Sequence, residues 1–329
     1  MILIAPDKFK GTYSAEEMCN FIATRLTKGG VSVPLILSPL SDGGEGIASA
    51  LMPEASLLME GLYLSEGKCL AVSSEIVGFG NFRDSGIPLM RRSSIRLGEA
   101  VKKAVNRHLK TYIAIGGTAI SDGGAGFLQG LGAVFYDRSG NAIDSPLCPA
   151  TIFGIASADL SPLQGLDLTG IVDVKASLVG GELSTLDFTR QKALPGEDLT
   201  RLEDSLRHLH DILGGSSEWD GAGGGLGYAL ASVIGAPCIS GAQATVSRLK
   251  IDWDKVRLII TGEGCVDEQT VRGGKLVDYL YREGVRREIP TVVLYGKKEG
   301  DLPYPHTAQI KSHWEDIVAG LLQIDNQTN

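Results

Sequence analysis

Four short segments of this sequence combine glycines with a carboxylate, a mixture of residues that suits the handling of phosphate groups. They are Ser41–Gly46 (SDGGEG), Gly116–Gly126 (GGTAISDGGAG), Asp220–Gly225 (DGAGGG) and Thr261–Gly264 (TGEG). The first segment matches residues 121–126 in five of six positions. Glycines let backbone N–H groups approach a phosphate, and carboxylates can hold Mg²⁺ or accept a proton from a hydroxyl. The pattern indicates phosphoryl transfer, although tight glycine turns with a purely structural role remain an alternative.

Further charged residues lie in these segments or at the ends of apolar runs that resemble strands. The acidic ones are Asp7, Asp42, Glu45, Asp122, Asp173, Glu263 and Asp267, and the basic ones are Lys10, Lys192 and Lys275. Phosphoryl transfer needs amides and lysines for the phosphates, carboxylates for Mg²⁺ and one carboxylate as base. The sequence contains neither the dinucleotide fingerprint, nor the P-loop pattern, nor the protein-kinase motifs. We therefore expect a kinase of another lineage.

The longest glycine segment follows the apolar run Tyr112–Ile115, which predicts a buried strand feeding a loop. A helix is expected next, with Ser121 or Asp122 as its cap. A strand, a glycine loop and a helix N-terminus together predict an anion site.

The beginning of the chain predicts a β-α-β unit. Ile2–Ala5 and Val31–Leu37 are expected to be strands, and Ser14 with Glu17 forms a capping box for the helix between them. In an open parallel sheet the carboxyl ends of such strands lie side by side, where ligands bind. Asp7, Lys10 and Asp42 follow these ends.

The chain alternates strand and helix at both ends and is mixed in its middle. Residues 62–87 are expected to form antiparallel strands, and Arg257–Thr261 a buried strand that ends in the loop at Gly262. We predict an α/β protein with a discontinuous domain of residues 1–60 and 256–329 and an inserted mixed α/β domain of residues 61–255. The cleft between the two is the expected place of the site.

Composition excludes several classes of protein. A net charge of −8 disfavours nucleic-acid binding, and five histidines and five cysteines without metal or C-x-x-C spacing argue against zinc sites and disulfides. No apolar run approaches the roughly 18 residues of a membrane span, and the N-terminal residues do not have the pattern of a signal peptide. We expect a cytoplasmic protein that acts on a small molecule, as a monomer or homodimer.

Four motifs, in order over most of the chain, resemble those of the bacterial type I glycerate kinases (glycerate 2-kinases). They are IAPDKFK at residues 4–10, SDGGEG at 41–46, IGGTA with DGGAG at 115–126, and ITGEG at 260–264 followed by Asp267 and Gly274-Lys275. The resemblance implies two domains: an open parallel flavodoxin-like sheet with helices on both faces, and an insert. It also implies phosphorylation of D-glycerate by ATP and Mg²⁺, usually giving 2-phosphoglycerate.

The resemblance also implies roles for individual residues. Asp42, Asp122, Asp173 and Lys10 are expected to be catalytic, and Asp122 and Asp173 to hold Mg²⁺. ATP is expected to contact Gly116, Gly117, Thr118, Gly123, Gly124, Glu263 and Lys275, and the substrate Asp7, Glu45, Lys192 and Asp267.

Three segments depart from the family pattern. Residues 92–99 (RSSIRLGE) carry bulky side chains where such kinases have a turn rich in Ser, Thr and Gly, and residues 173–178 (DVKASL) lack the Asn of Asp-Val-Thr-Asn-Pro-Leu. Residues 188–193 (FTRQKA) replace a phenylalanine-led Gly-Pro-Gln-Lys-Gly. Two other hypotheses therefore stay open: a relative that binds a small acid or nucleotide without transfer, and a nucleotide-binding structural protein.

Overall fold

The computed structural model describes residues 1–9, 11–44, 46–83, 85–172, 174–190, 196–272 and 275–327. These residues form two compact units, one of residues 1–42 and 240–329 and the other of residues 43–239.

The described residues form the following strands and helices, in chain order. Residues 1–42 contain β1 (Ile2–Ile4), α1 (Ala15–Lys28) and β2 (Leu35–Leu37). Residues 43–137 contain α2 (Ile47–Leu51), β3 (Ser56–Met59), β4 (Leu62–Ser65), β5 (Lys68–Val72), α3 (Ser73–Ile76), α4 (Phe79–Phe82), α5 (Ile95–Val105), β6 (Lys110–Ala114), α6 (Ala125–Leu131) and β7 (Val134–Tyr136). Residues 138–240 contain β8 (Ser157–Asp159), β9 (Leu168–Val172), α7 (Thr185–Arg190), α8 (Gly196–Leu213) and β10 (Cys238–Ser240). Residues 241–327 contain α9 (Gly241–Arg248), β11 (Leu258–Val266), α10 (Glu268–Arg272), α11 (Leu276–Arg286), β12 (Thr291–Lys298), β13 (Thr307–Gln309) and α12 (Glu315–Gln327).

The sheet of the first unit is parallel throughout its described pairs, in the order β2-β1-β11-β12-β13. Counted along the chain within this unit, the order is 2-1-3-4-5, which is that of flavodoxin-like folds. Alternate side chains of a strand point to opposite faces. Ile2 and Ile4 therefore pack with α1 and α12, whereas Leu3 and Ala5 pack with α9 and α11. This confirms the predicted open parallel sheet with helices on both faces.

Helix α1 has the predicted N-terminal capping box and the predicted buried apolar face. The Glu17 N–H donates to Ser14 Oγ at 3.1 Å and the Ser14 N–H donates to Glu17 Oε2 at 2.8 Å, so the capping box is present. Met18, Ile22 and Leu26 on one face of the helix are fully buried against the sheet.

Strand β11 corrects the predicted loop at Gly262. The strand continues to Val266 because β12 pairs with it along this length, including Gly262 with Leu294 and Glu263 with Tyr295. A Cβ on Gly262 would lie 2.2 Å from the Leu294 carbonyl oxygen. The glycine permits close strand packing and does not form a turn.

The second unit contains a mixed sheet in the order β10-β9-β6-β5-β4-β3. Strands β3, β4 and β5 are antiparallel, whereas β6 pairs in parallel with both β5 and β9. The predicted antiparallel strands are confirmed for β4 and β5, but Ser73–Ile76 and Phe79–Phe82 form the short helices α3 and α4. Because β3 pairs with β4, residues 56–59 belong to this sheet. The boundaries between the two units lie at 42/43 and 239/240, whereas the predicted domain boundaries lie at 60/61 and 255/256.

No helix in the described ranges is long and apolar enough to cross a membrane. The five cysteines, all in described positions, are free.

The residue that follows the C-cap of helix α11 is Glu288, and its left-handed backbone conformation would suit a glycine better. The Ile289 N–H donates to the Gly284 carbonyl and the Glu288 N–H to the Val285 carbonyl, which is a Schellman motif. Glu288 occupies the left-handed position at φ 59°.

We expect Glu288→Gly to stabilise the protein by about 0.5–1 kcal/mol, measured by urea unfolding. Arg286→Gly, inside the same helix, is the matched control and is expected to destabilise by about 1 kcal/mol. A stability loss in Glu288→Gly would contradict the expectation.

Candidate functional site

Three carboxyl groups meet at the carboxyl edge of the parallel sheet. Asp7 follows β1 and its N–H donates to the Gly262 carbonyl of β11 at 2.9 Å, while Asp42 lies beyond β2 and Glu263 belongs to β11. The strand order reverses between β1 and β11, and flavodoxin-like folds bind ligands at this point. We call Asp7, Asp42 and Glu263 the acidic cluster.

The acidic cluster is electrostatically coupled. Burial, and after it the charge of Asp42, raises the pKa of Asp7 to about 8, against the opposing effect of Lys8. Burial likewise raises the pKa of Glu263 to about 7, with Asp42 and Asp267 adding to the effect and Lys275 opposing it. Such values close to neutral pH are typical of groups that exchange protons or bind charged ligands.

Thr270 connects two of the predicted site residues and was missed in the sequence. Its buried hydroxyl donates to Glu263 Oε1 at 2.7 Å, and the Asp267 N–H donates to the same Oγ1 at 3.2 Å. The Thr270 N–H in turn donates to Asp267 Oδ1 at 3.0 Å. A threonine three residues after an aspartate is the available signal, since this spacing is that of a helix cap.

The raised pKa values predict a loss of stability with rising pH. Folded Asp7 and Glu263 keep protons above pH 4 to 5, where the unfolded groups have lost them, so the folded state binds more protons up to about pH 8. We expect the free energy of unfolding to fall across this window, by roughly 1.4 kcal/mol per pH unit for each retained proton. Urea unfolding at about pH 5.5 and about pH 8.5 measures this. Asp7→Asn should flatten the dependence and the exposed control Asp301→Asn should not, and equal slopes in both variants would contradict the assignment.

Asp122, in the longest glycine segment, accepts four hydrogen bonds from the protein. It is 0% exposed, and its Oδ2 accepts from the Ser94 N–H and the Ser94 hydroxyl, both at 2.7 Å. Gly126 N–H donates to Oδ2 at 3.3 Å and Gly124 N–H to Oδ1 at 3.1 Å. Burial raises the pKa of Asp122, and these four hydrogen bonds oppose the rise.

This arrangement uses up the N–H groups at the start of α6. Beside Gly124 and Gly126, the Phe127 N–H donates to Ser94 Oγ at 2.7 Å. The residue at the N-cap position is Gly124 in left-handed conformation, not Ser121 or Asp122 as predicted. A carboxylate of the protein itself thus binds the helix N-terminus that the sequence predicted for a phosphate.

Two of the four glycine segments pack against each other. The Gly123 N–H donates to the Gly224 carbonyl at 3.1 Å. A Cβ on Gly225 would lie 2.4 Å from the Gly123 Cα, and one on Gly124 would lie 2.5 Å from the Ala229 Cβ. Gly123 and Gly124 therefore have packing roles beside the predicted contact with ATP.

Gly116 and Gly117, just after β6, have a different environment. The Ser73 hydroxyl donates to the Gly116 carbonyl at 3.3 Å, and the Ala119 N–H donates to the Val77 carbonyl at 2.9 Å. These two hydrogen bonds fix the segment on both sides of Thr118. Gly117 is exposed and left-handed at φ 73°. Within the described ranges, neither the Gly116 nor the Gly117 N–H donates to an acceptor. Consecutive N–H groups of this kind are suited to bind an anion.

In the altered segment at residues 174–178, the side chain of Lys175 lies at the surface. Lys175 Nζ lies 3.0 Å from Glu218 Oε2 and 5.2 Å from the centre of the Trp219 ring. Its charge is thus paired locally.

The predicted site residues divide between the units. Asp7, Asp42, Glu263, Asp267 and Lys275 belong to the first, and Gly116, Gly117, Thr118, Asp122, Gly123 and Gly124 to the second. Lys10, Glu45, Asp173 and Lys192 lie outside the described residues. Among the residues that are described, no group of three or more His, Cys, Asp or Glu side chains is arranged to hold a metal ion.

Comparisons with known proteins identify the family of this chain. The model of the glycerate kinase family matches residues 2–326. A glycerate kinase of Neisseria meningitidis is 28% identical, with 92% of this chain and 87% of the relative covered. The glycerate 2-kinase of Escherichia coli is 27% identical over 83% of this chain and 79% of its own length. A crystal structure assigned to glycerate kinase 2 of Salmonella typhimurium LT2 shares the fold, with a TM-score of 0.73, 24% identity and coverage of 100% of this chain and 99% of that one. The chain therefore belongs to the glycerate kinase family.

Proposed function

We propose that this protein transfers the terminal phosphoryl group of ATP to a hydroxyl of D-glycerate and forms 2-phosphoglycerate. Family membership and the names of the relatives support phosphorylation of glycerate. The observation that carries the proposal is the acidic cluster at the point where the order of a flavodoxin-like sheet reverses. The substrate is a small molecule, and the net charge of −8 supports a function without nucleic acid. We place the protein in the cytoplasm, as a monomer or homodimer.

Asp42 is the proposed base. It is half-buried, whereas Asp7 is 6% exposed, so Asp42 is the more accessible to an acceptor hydroxyl. Asp7, with a pKa of about 8, carries a proton at neutral pH and can donate a hydrogen bond to a substrate oxygen. A base and a donor side by side suit a hydroxy acid.

Lys275 and Glu263 are proposed to contact the nucleotide, and Asp267 the substrate. Lys275 lies at the N-cap of α11 and acts electrostatically on Glu263, which the Thr270 hydroxyl orients. A lysine at a helix N-terminus offsets phosphate charge.

In the second unit we propose that the N–H groups of Gly116 and Gly117, with Thr118, bind phosphate oxygens. We revise the role of Asp122 from catalyst to positioning residue, because its four hydrogen bonds and full burial leave no access to a reactant. Gly123 and Gly124 support the same loop.

The residues present fit Mg²⁺ in part. Asp122 is unsuitable as a ligand, since both of its oxygens are engaged. Mg²⁺ commonly takes one or two carboxylates together with substrate phosphates, so Asp173 stays its proposed ligand. When bound, the ion would offset the charge on the transferring phosphoryl group. From the resemblance alone we also propose that Lys10 is a catalytic residue and that Glu45 and Lys192 contact the substrate.

The test is turnover with ATP, Mg²⁺ and D-glycerate, with ³¹P NMR to identify the product. We expect 2-phosphoglycerate, and 3-phosphoglycerate would contradict the proposed acceptor hydroxyl. Calorimetry with each reactant distinguishes the alternative of a binding protein. Binding without release of ADP from any related hydroxy acid would overturn the proposed transfer.

A further inference from the structure

Arg92 holds the glycine segment after β6 from one side. Its Nε donates to the Ile87 carbonyl at 3.0 Å and its Nη1 donates to the Ala119 carbonyl at 3.2 Å. The guanidinium lies 5.1 Å from the centre of the Phe82 ring. These contacts fix the guanidinium beside Ala119, at the end of the segment that begins with Gly116.

The charge of Arg92 has no acidic partner in the described part of the chain, which leaves out Asp84. The side chain is half-buried, and burial lowers the pKa of Arg92. A guanidinium has five N–H donors in a planar fork, of which the two carbonyls use two. The others match the oxygens of a carboxylate or a phosphate, which a fork can bind through two hydrogen bonds.

The neighbouring backbone offers donors of the same kind. Ala119, which accepts from Arg92, is two residues from Gly117, whose N–H has no acceptor among the described residues, as is true of Gly116. Gly116 is buried, and a buried N–H group almost always has a partner in a native protein. The Arg92 guanidinium is thus held at Ala119, and the two backbone donors, the Gly116 and Gly117 N–H groups, belong to residues three and two positions before it.

We propose that Arg92 is a specificity-determining residue that binds an anionic oxygen group of a reactant together with the Gly116 and Gly117 N–H groups. The group is either a phosphate of the nucleotide or the carboxylate of the hydroxy acid. Arg92 belongs to the altered segment 92–99, where similar kinases carry a Ser/Thr-rich turn, so this contact would distinguish the chain from them. The inference rests on the proposed function, because it names a residue of that same site.

Steady-state kinetics of Arg92→Gln and Arg92→Lys test the proposal, with ATP and glycerate varied separately. The matched control is Arg91→Gln, since Arg91 is an exposed arginine at the adjacent position. We expect KM for one reactant to rise about 10- to 100-fold in Arg92→Gln, with less effect in Arg92→Lys and none in the control. A rise for ATP identifies a phosphate, and a rise for glycerate identifies the carboxylate.

A purely structural role of Arg92 has a different signature. It would lower the thermal midpoint and kcat while leaving both KM values equal to those of the control, and this result would overturn the proposal. Calorimetric affinities for ATP and for glycerate give the same comparison without turnover. If Arg92→Gln does not fold, Arg92→Lys supplies the comparison, and unchanged affinities in it count against the proposal. An active wild type with unaffected Arg92 variants refutes this inference alone, whereas a wild type that binds neither reactant refutes the proposed function as well.

Discussion

Asp42→Asn is expected to lower kcat about 10²- to 10⁴-fold, which is the contribution of a positioned base. Asparagine preserves the shape of the side chain but cannot accept the proton of an attacking hydroxyl. Because this interaction is made in the transition state, kcat and kcat/KM should fall together, with little change in KM. Initial rates with saturating ATP and varied glycerate measure the effect.

Asp254→Asn is the control for Asp42→Asn. Asp254 is an exposed aspartate of the same unit and follows Trp253, near the amino end of β11. The control should keep the kcat of the wild type. If Asp42→Asn retains kcat within about threefold, Asp42 is not the base.

Asp122→Asn is expected to destabilise the protein by about 3–5 kcal/mol. The substitution replaces one acceptor oxygen by an NH₂ group and removes the negative charge, so at least one of the four buried donors loses its acceptor, at roughly 1–3 kcal/mol, and the remaining hydrogen bonds become weaker. Urea unfolding measures the loss as a lower midpoint. In one orientation of the asparagine amide the NH₂ group faces the Gly124 N–H, and in the other it faces the three donors at the Oδ2 position, so neither orientation satisfies all four donors.

Asp137 offers a matched control for Asp122→Asn. It accepts hydrogen bonds from the N–H groups of Ser139 and Asn141 at 2.8 and 2.9 Å, but it is solvent-accessible. Water can satisfy the donors after Asp137→Asn, so the expected loss is about 1 kcal/mol or less. Equal losses in the two variants would show that burial of Asp122 is not the cause.

Local patterns in the sequence were sufficient for β1, α1 and the parallel arrangement of the first unit. The capping box at Ser14, the apolar face of α1 and the short apolar strands each depend on nearby residues, and they determined a parallel sheet with Asp7 and Asp42 beyond its strands. The coupling among Asp7, Asp42 and Glu263 follows from that topology.

Reasoning from local patterns failed where the structure depends on the role of a glycine. A glycine in the sequence marks a turn, a close approach or a phosphate contact equally well, and the choice depends on residues that are distant in the chain. Gly262 faces Leu294 of β12, and Gly123 faces Gly225. The acceptor role of Asp122 likewise needs Ser94, 28 positions earlier. No local pattern contains these pairs.

The interlocked glycine loops at residues 123–124 and 224–225 also bear on how this family changes over time. A methyl group on Gly225 would press on the Gly123 Cα, and one on Gly124 would lie 3.1 Å from the Gly225 carbonyl oxygen, so change at these two positions is constrained by the partner loop whether or not chemistry takes place. A descendant that had stopped phosphorylating anything would still retain these glycines in order to fold. The presence of these glycines therefore indicates that the architecture is inherited, and surviving catalysis would have to be judged at the proposed base, Asp42.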